Sequence, residues 1–188
     1  MTARFVVLFD GRTGSTHLMK LLDSHPSILM KGEILGWSTH LGGQPEDQRA
    51  TIAELFDNTR ADLGAVGFKT KLQDVQDPDD FAALLESYDT RLIVLRRANE
   101  VKGAISTILG SALRARGGGS NITTGSQRVR KQAIDKRELD EMLTVRAARD
   151  KELLQFVERL PLQHVEVPYE ELLLDETATL TTDRKSVV

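Results

Sequence analysis

The sequence predicts an α/β fold in which a parallel sheet is flanked by helices. Two observations carry that expectation. Short apolar runs of strand length recur along the chain, and stretches with helical periodicity lie between them. The first run is also continuous rather than alternating, as in a strand buried on both faces, and it passes through a glycine-bearing turn straight into a helix. Strands that alternate with helices form parallel sheets joined by right-handed crossovers.

Arg4 to Phe9 (RFVVLF) is the first strand, and Asp10 to Gly14 is a polar turn. From Ser15 the period changes. Leu18, Leu21 and Leu22 share one helical face, and Ser24-His25-Pro26 ends the helix. A helix is expected from about Pro45 to Arg60, followed by a second buried strand at Ala65 to Thr70. Asp77-Pro78 opens a helix running to about Tyr88, and Arg91 to Leu95 is a strand leading into a helix over Glu100 to Leu113. Gly117-Gly118-Gly119 and the Ser/Thr/Asn-rich residues after them belong to a flexible basic loop over about 114–133. A long amphipathic helix covers roughly Ile134 to Arg159, His164 to Val167 is the last strand, and Tyr169 to Leu173 is a short helical turn. With no internal repeat, residues 1–188 are expected to form one domain with an irregular tail over 176–188.

Composition narrows the function. The absence of cysteine excludes disulfides, thiolate zinc sites and a cysteine nucleophile. A net charge of −3 gives no reason to expect nucleic acid as a partner. No apolar run approaches the ~18 residues of a membrane span, so a cytoplasmic location is expected. One local bias stands out: between Arg114 and Arg137, seven cations face the single acid Asp135. Such a run is either a solvated loop or a flap that meets an anion.

Ligands of open parallel sheets bind outside the carboxyl ends of the strands. Those ends here read DGRTGSTHL, KTKL and RRAN, all rich in cations or hydrogen-bond donors. Gly11 and Gly14 allow close backbone approach, while Ser15 and Thr16 start a helix whose N–H groups and dipole favour a phosphate. Arg12 adds a forked, permanent charge. A nucleoside-triphosphate P-loop would place a lysine between Gly14 and its Ser/Thr, but Ser15 stands there. A kinase would also want an acid near a strand end to help hold magnesium, whereas Arg96 and Arg97 follow Leu95. The four histidines, at 17, 25, 40 and 164, lack ligand spacing. The expectation is a phosphate-rich ligand held by cations and backbone without a metal.

GRTGSTHL, Gly11 to Leu18, resembles the 5′-phosphosulfate loop of sulfotransferases that use 3′-phosphoadenosine 5′-phosphosulfate (PAPS), above all the Arg-Ser-Gly-Ser form of carbohydrate and bacterial members. The resemblance implies that Arg12, Thr13, Gly14, Ser15 and Thr16 hold the 5′ phosphosulfate. LIVLRRANEVKGAIST, Leu92 to Thr107, resembles the family's 3′-phosphate segment, with Arg97 and Ser106 as the matches and Arg96 as the rival arginine. VEVPYEELLLD, Val165 to Asp175, looks like the segment that closes many members and reads as structural. The family's fold is a P-loop-NTPase-like three-layer sandwich with a central parallel sheet. Its donor is PAPS, and its acceptors include small molecules and carbohydrates.

Sulfuryl transfer asks the protein chiefly for alignment and for cations that stabilise developing charge. Arg12 and Lys69 are the candidates for that work. GFKTKL resembles the segment where cytosolic members carry a lysine and, two residues on, a histidine base. Here Lys71 takes the histidine's place, and a lysine with an ordinary pKa of about 10.4 cannot serve as a base. Bacterial members with the related loop use a glutamate shortly after the first helix, so the resemblance implies Glu33 as the base, with a structural ion pair or an acceptor ligand as the other readings. His17, Trp37 and His40 are possible acceptor or cofactor contacts. The resemblance also leads one to expect, after Asp175, a basic, glycine-containing segment that binds the 3′ phosphate. The sequence does not show it unless Arg184 and Lys185 or the 114–137 stretch takes its place. That departure is compatible with a shorter family type, a truncated chain or a non-catalytic nucleotide-binding module, and a P-loop-type nucleotide or sugar kinase is a separate alternative.

Overall fold

Five strands form one sheet in the order β2-β3-β1-β4-β5, with every neighbouring pair parallel. They are β1 (Ala3–Phe9), β2 (Ile28–Lys31), β3 (Ala65–Thr70), β4 (Arg91–Arg96) and β5 (His164–Pro168). The helices are α1 (Ser15–Asp23), α2 (Pro45–Asp57), α3 (Pro78–Ser87), α4 (Glu100–Ala115), α5 (Lys136–Glu158) and α6 (Tyr169–Leu174). These positions come from a computed structural model that describes residues 2–36, 44–115 and 133–174. Trp37, His40, the core of the expected basic loop and the tail over 176–188 lie outside the described residues.

The sandwich follows from the pleat of β1, whose successive side chains point to opposite faces. Phe5, Val7 and Phe9 join a core with Leu18 and Leu22 of α1 and Leu172 of α6. Val6 and Leu8 join a second core with Ile52 and Phe56 of α2, Phe81, Leu84 and Leu85 of α3, and Leu153 and Phe156 of α5. Both faces are thus covered, which explains why RFVVLF carries no polar alternation. The expected element boundaries hold to within a few residues. Asp77 accepts hydrogen bonds from the N–H groups of Asp79 and Asp80 to cap α3, with Pro78 in its first turn. Asp135 does the same for α5.

Register places the strand ends together. Leu8 of β1 lies opposite Thr70 of β3, and Phe9 lies opposite Leu95 of β4. The turn after β1 therefore sits between Lys71 on one side and Arg96-Arg97 on the other.

Candidate anion-binding site

A cavity of about 520 Å3 opens at these strand ends. Its lining includes Gly11, Arg12, Gly14, Ser15, Thr16, Glu33, Lys71, Arg97, Ser106, Arg114, Arg149 and Tyr169. The loop over 10–14 has an unusual backbone. Arg12 takes φ 66°, a left-handed value that a side chain disfavours, and Gly14 takes φ 85°. Two contacts hold Arg12 there. Arg97 Nη1 donates to the Arg12 carbonyl at 2.9 Å, and Arg12 Nε donates to Ser106 Oγ at 2.9 Å. Burial, reinforced by the charges of Arg114 and Arg97, makes Arg12 somewhat easier to deprotonate than a free arginine. It remains a cation under all ordinary conditions.

Gly14 is required on two counts. Its φ is left-handed, and a Cβ there would lie 2.2 Å from Cδ2 of Tyr169. The Tyr169 ring thus packs against the bare loop, and the Arg97 guanidinium lies over that ring, 5.2 Å from its centroid. The next residue, Glu170, accepts from the N–H groups of Ala98 and Asn99 at 2.9 and 3.1 Å, anchoring the segment that enters α4. Burial works to raise the Glu170 carboxyl, but those two hydrogen bonds and Arg97 bring it below its ordinary range.

On the β3 side, Lys69 is 4% exposed, and its Nζ reaches Ser15 Oγ at 3.3 Å and Thr16 Oγ1 at 3.4 Å. A lysine from a strand end thereby supplies positive charge at the start of α1, where Ser15 replaces the P-loop lysine. The same Nζ lies 3.3 Å from Glu33 Oε1. Glu33 Oε2 lies 3.1 Å from Lys71, which also pairs with Asp74 at 2.5 Å. Burial works to raise the Glu33 carboxyl. Lys71 first, and then Lys69, outweigh it with charge and hydrogen bonds, so Glu33 is held below the usual carboxylate range. Lys71 is pushed the other way: burial works against its charge, but Asp74 and Glu33 outweigh it and raise its pKa.

Beneath the loop lies a buried arginine that the sequence reading did not single out. Arg146 of α5 is 6% exposed. Its Nη1 donates to the Gly11 carbonyl at 2.7 Å and lies 3.1 Å from Asp10 Oδ2. Asp10 is itself 7% exposed, so its charge is compensated within the protein. Arg149, one turn further along α5, stands 3.7 Å from Asp10 Oδ1.

The expected site residues divide clearly. Arg12, Gly14, Ser15, Thr16, Glu33, Arg97 and Ser106 all line the cavity. Lys69 stands just behind Ser15 and Thr16. Thr13 is buried, and its hydroxyl donates to the Asp10 carbonyl at 2.7 Å, so its side chain serves the turn. Arg96 is not brought to the cavity: it forks onto Asp150 of α5 at 3.0 and 2.6 Å and reaches Glu166 of β5 at 2.9 Å. Those carboxylates raise its pKa further, Asp150 first. Successive residues at a strand end point to opposite faces, so only one of the two arginines could turn to the loop. Asp10, Arg146, Arg149 and Tyr169 were missed. A glycine inside a predicted helix, Gly103, was the one sequence signal for Arg146, because it marks where something packs closely.

Fold and site together define a P-loop-like α/β domain with a cationic cavity at its strand ends. No protein-family model and no curated protein matches the chain. Among solved structures it is similar to a sulfotransferase from Alicyclobacillus acidocaldarius, at TM-score 0.63 and 20% identity, covering 100% of this chain and 81% of that one. It is also similar to shikimate kinase from Bacteroides thetaiotaomicron, at TM-score 0.52 and 14% identity, covering 97% and 95%. At such identities the likeness establishes the shared fold, which both sulfuryl and phosphoryl transferases use.

Proposed function

We propose that this protein transfers a sulfuryl group from PAPS to a hydroxyl or amine of a small-molecule or carbohydrate acceptor. The observation that carries the reading is the junction of Arg12, Arg97 and Ser106. One arginine from the loop and one from the end of β4 are locked to each other and to a serine on α4. This joins the two segments that resemble the family's 5′- and 3′-phosphate motifs, some 80 residues apart in the chain. The lining fits a doubly phosphorylated nucleotide. The N–H groups of Ser15 and Thr16 begin α1 and can face an anion, Gly14 exposes bare backbone, and the charges are predominantly positive.

In this reading Arg12 and Lys69 steady the oxygens of the moving group and of the leaving phosphate. Glu33 takes the acceptor's proton as the new O–S or N–S bond forms and the S–O bond to the phosphate breaks. Lys69 touches both the loop hydroxyls and Glu33, which keeps base and donor in one frame. Ser15 in place of the P-loop lysine favours sulfuryl transfer over a kinase reaction.

Calorimetric titration with 3′-phosphoadenosine 5′-phosphate, beside ATP with magnesium, tests the reading on wild type and Arg97→Ala. Metal-free micromolar binding of the bisphosphate, weakened by the substitution, is expected. Binding of ATP without binding of the bisphosphate would sink it in favour of a kinase.

A further inference from the structure

We infer that Arg149, on α5, is a ligand-binding residue of the cavity that contacts the 3′ phosphate of the nucleotide. This rests on the proposed function and extends it to a helix that neither motif reaches. Three observations converge. Arg149 lines the same cavity as Arg97, Ser106 and Thr107. Its guanidinium approaches Asp10 Oδ1 at 3.7 Å, too long for a hydrogen bond, and that oxygen has no hydrogen-bond partner among the described residues. Asp10 is meanwhile met at 3.1 Å by Arg146, so it does not depend on Arg149 for its charge balance. The arginine side chain is 43% exposed and carries five donors.

Its neighbours on α5 are committed elsewhere: Arg146 to Asp10 and the Gly11 carbonyl, Asp150 to Arg96. Among the described residues of α5, Arg149 is a cavity-lining cation with donors left for an incoming anion. Asp10 tethers it loosely at the cavity wall without consuming it. A loosely paired guanidinium at a ligand site loses little by exchanging its partner for a phosphate, with which it can make forked, charge-assisted bonds.

The test is a comparison of two probes on wild type, Arg149→Ala and Arg149→Lys, by calorimetry. The probes are 3′-phosphoadenosine 5′-phosphate and adenosine 5′-phosphate, which lacks the 3′ group. Arg149→Ala should weaken the bisphosphate about tenfold and leave the monophosphate unchanged, with partial recovery in Arg149→Lys. Equal weakening of both probes, or of neither, overturns the assignment while leaving the proposed function standing. A wild type that binds no bisphosphate overturns the proposed function itself, and the assignment with it. Thermal unfolding of each variant guards against a fold defect, which a half-exposed side chain gives no reason to expect.

Discussion

The guanidinium of Arg146 crosses α4 at Gly103 so closely that a Cβ at position 103 would lie 2.9 Å from Nη2. The arginine cannot step aside without cost, because the same group holds the Gly11 carbonyl and Asp10. A glycine in a helix interior ordinarily costs about 1 kcal/mol relative to alanine. Here the missing methyl is the passage through which α5 grips the loop after β1.

Gly103→Ala should therefore destabilise the protein despite the better helix former. The gain of about 1 kcal/mol in propensity is set against about 1.5–3 kcal/mol for disturbing hydrogen bonds to a buried charge. Thermal unfolding should show a lower Tm, and nucleotide affinity should fall with it. A raised Tm with unchanged affinity would mean that Arg146 relaxes freely and does not position the loop.

Glu33 gives a pH prediction whose sign is fixed by its two lysines. A base must be ionised, so activity is present above its pKa and lost as pH falls through it. Because Glu33 is held below its ordinary value in the free protein, the acidic limb of kcat/KM should lie below the ~4.3 of a free glutamate. Lys71→Met removes the main lowering influence and leaves burial opposed only by Lys69, so the limb should move up. Glu33→Gln should lower kcat, flatten that limb and leave donor binding intact. A limb that stays put in Lys71→Met would assign it to another group.

Lys69 is buried against the ring of Phe9, 5.3 Å from its centroid, while its Nζ touches Ser15 and Thr16. Lys69→Met keeps most of that packing and removes the charge. The expected loss in kcat/KM is about 2–4 kcal/mol, as for a deleted oxyanion donor, with a Tm near that of wild type. Steady-state kinetics with a responsive acceptor would show it. Retention of full kcat/KM would leave Lys69 a packing residue.

The sheet was legible because its strands are buried on both faces, and such segments announce themselves as unbroken apolar runs. The loop after β1 is a weak signal by itself, since glycines and hydroxyls after a strand often form only a tight turn. It stood out through its resemblance to the family's loop together with the second segment. Glu33 was singled out only through the family resemblance, and its bridge between Lys69 and Lys71 depends on how β2 and β3 align. The same holds for Arg96 and Arg97. They are adjacent and chemically identical, and strand alternation together with the carboxylates of Asp150 and Glu166 turns Arg96 away from the loop. Arg146 and Arg149 were hidden by another cause. They sit in a helix whose charges read as solvated, and nothing local reveals that one face of it lies against the loop.

The Tyr169 ring that packs on Gly14 arrives from the far end of the sheet's construction. Among the described residues, β5 pairs only with β4, as an edge strand, and α6 follows it directly. During synthesis the loop after β1 leaves the ribosome some 150 residues before the tyrosine that seats it. In the interval, α1 and four strands can associate, but Gly14 has no ring above it and Arg97 has no aromatic face to rest on. Closure of the candidate site is thus a late event in the life of the nascent chain. A ribosome stalled before β5 would carry a protein with most of its sheet and an unfinished site.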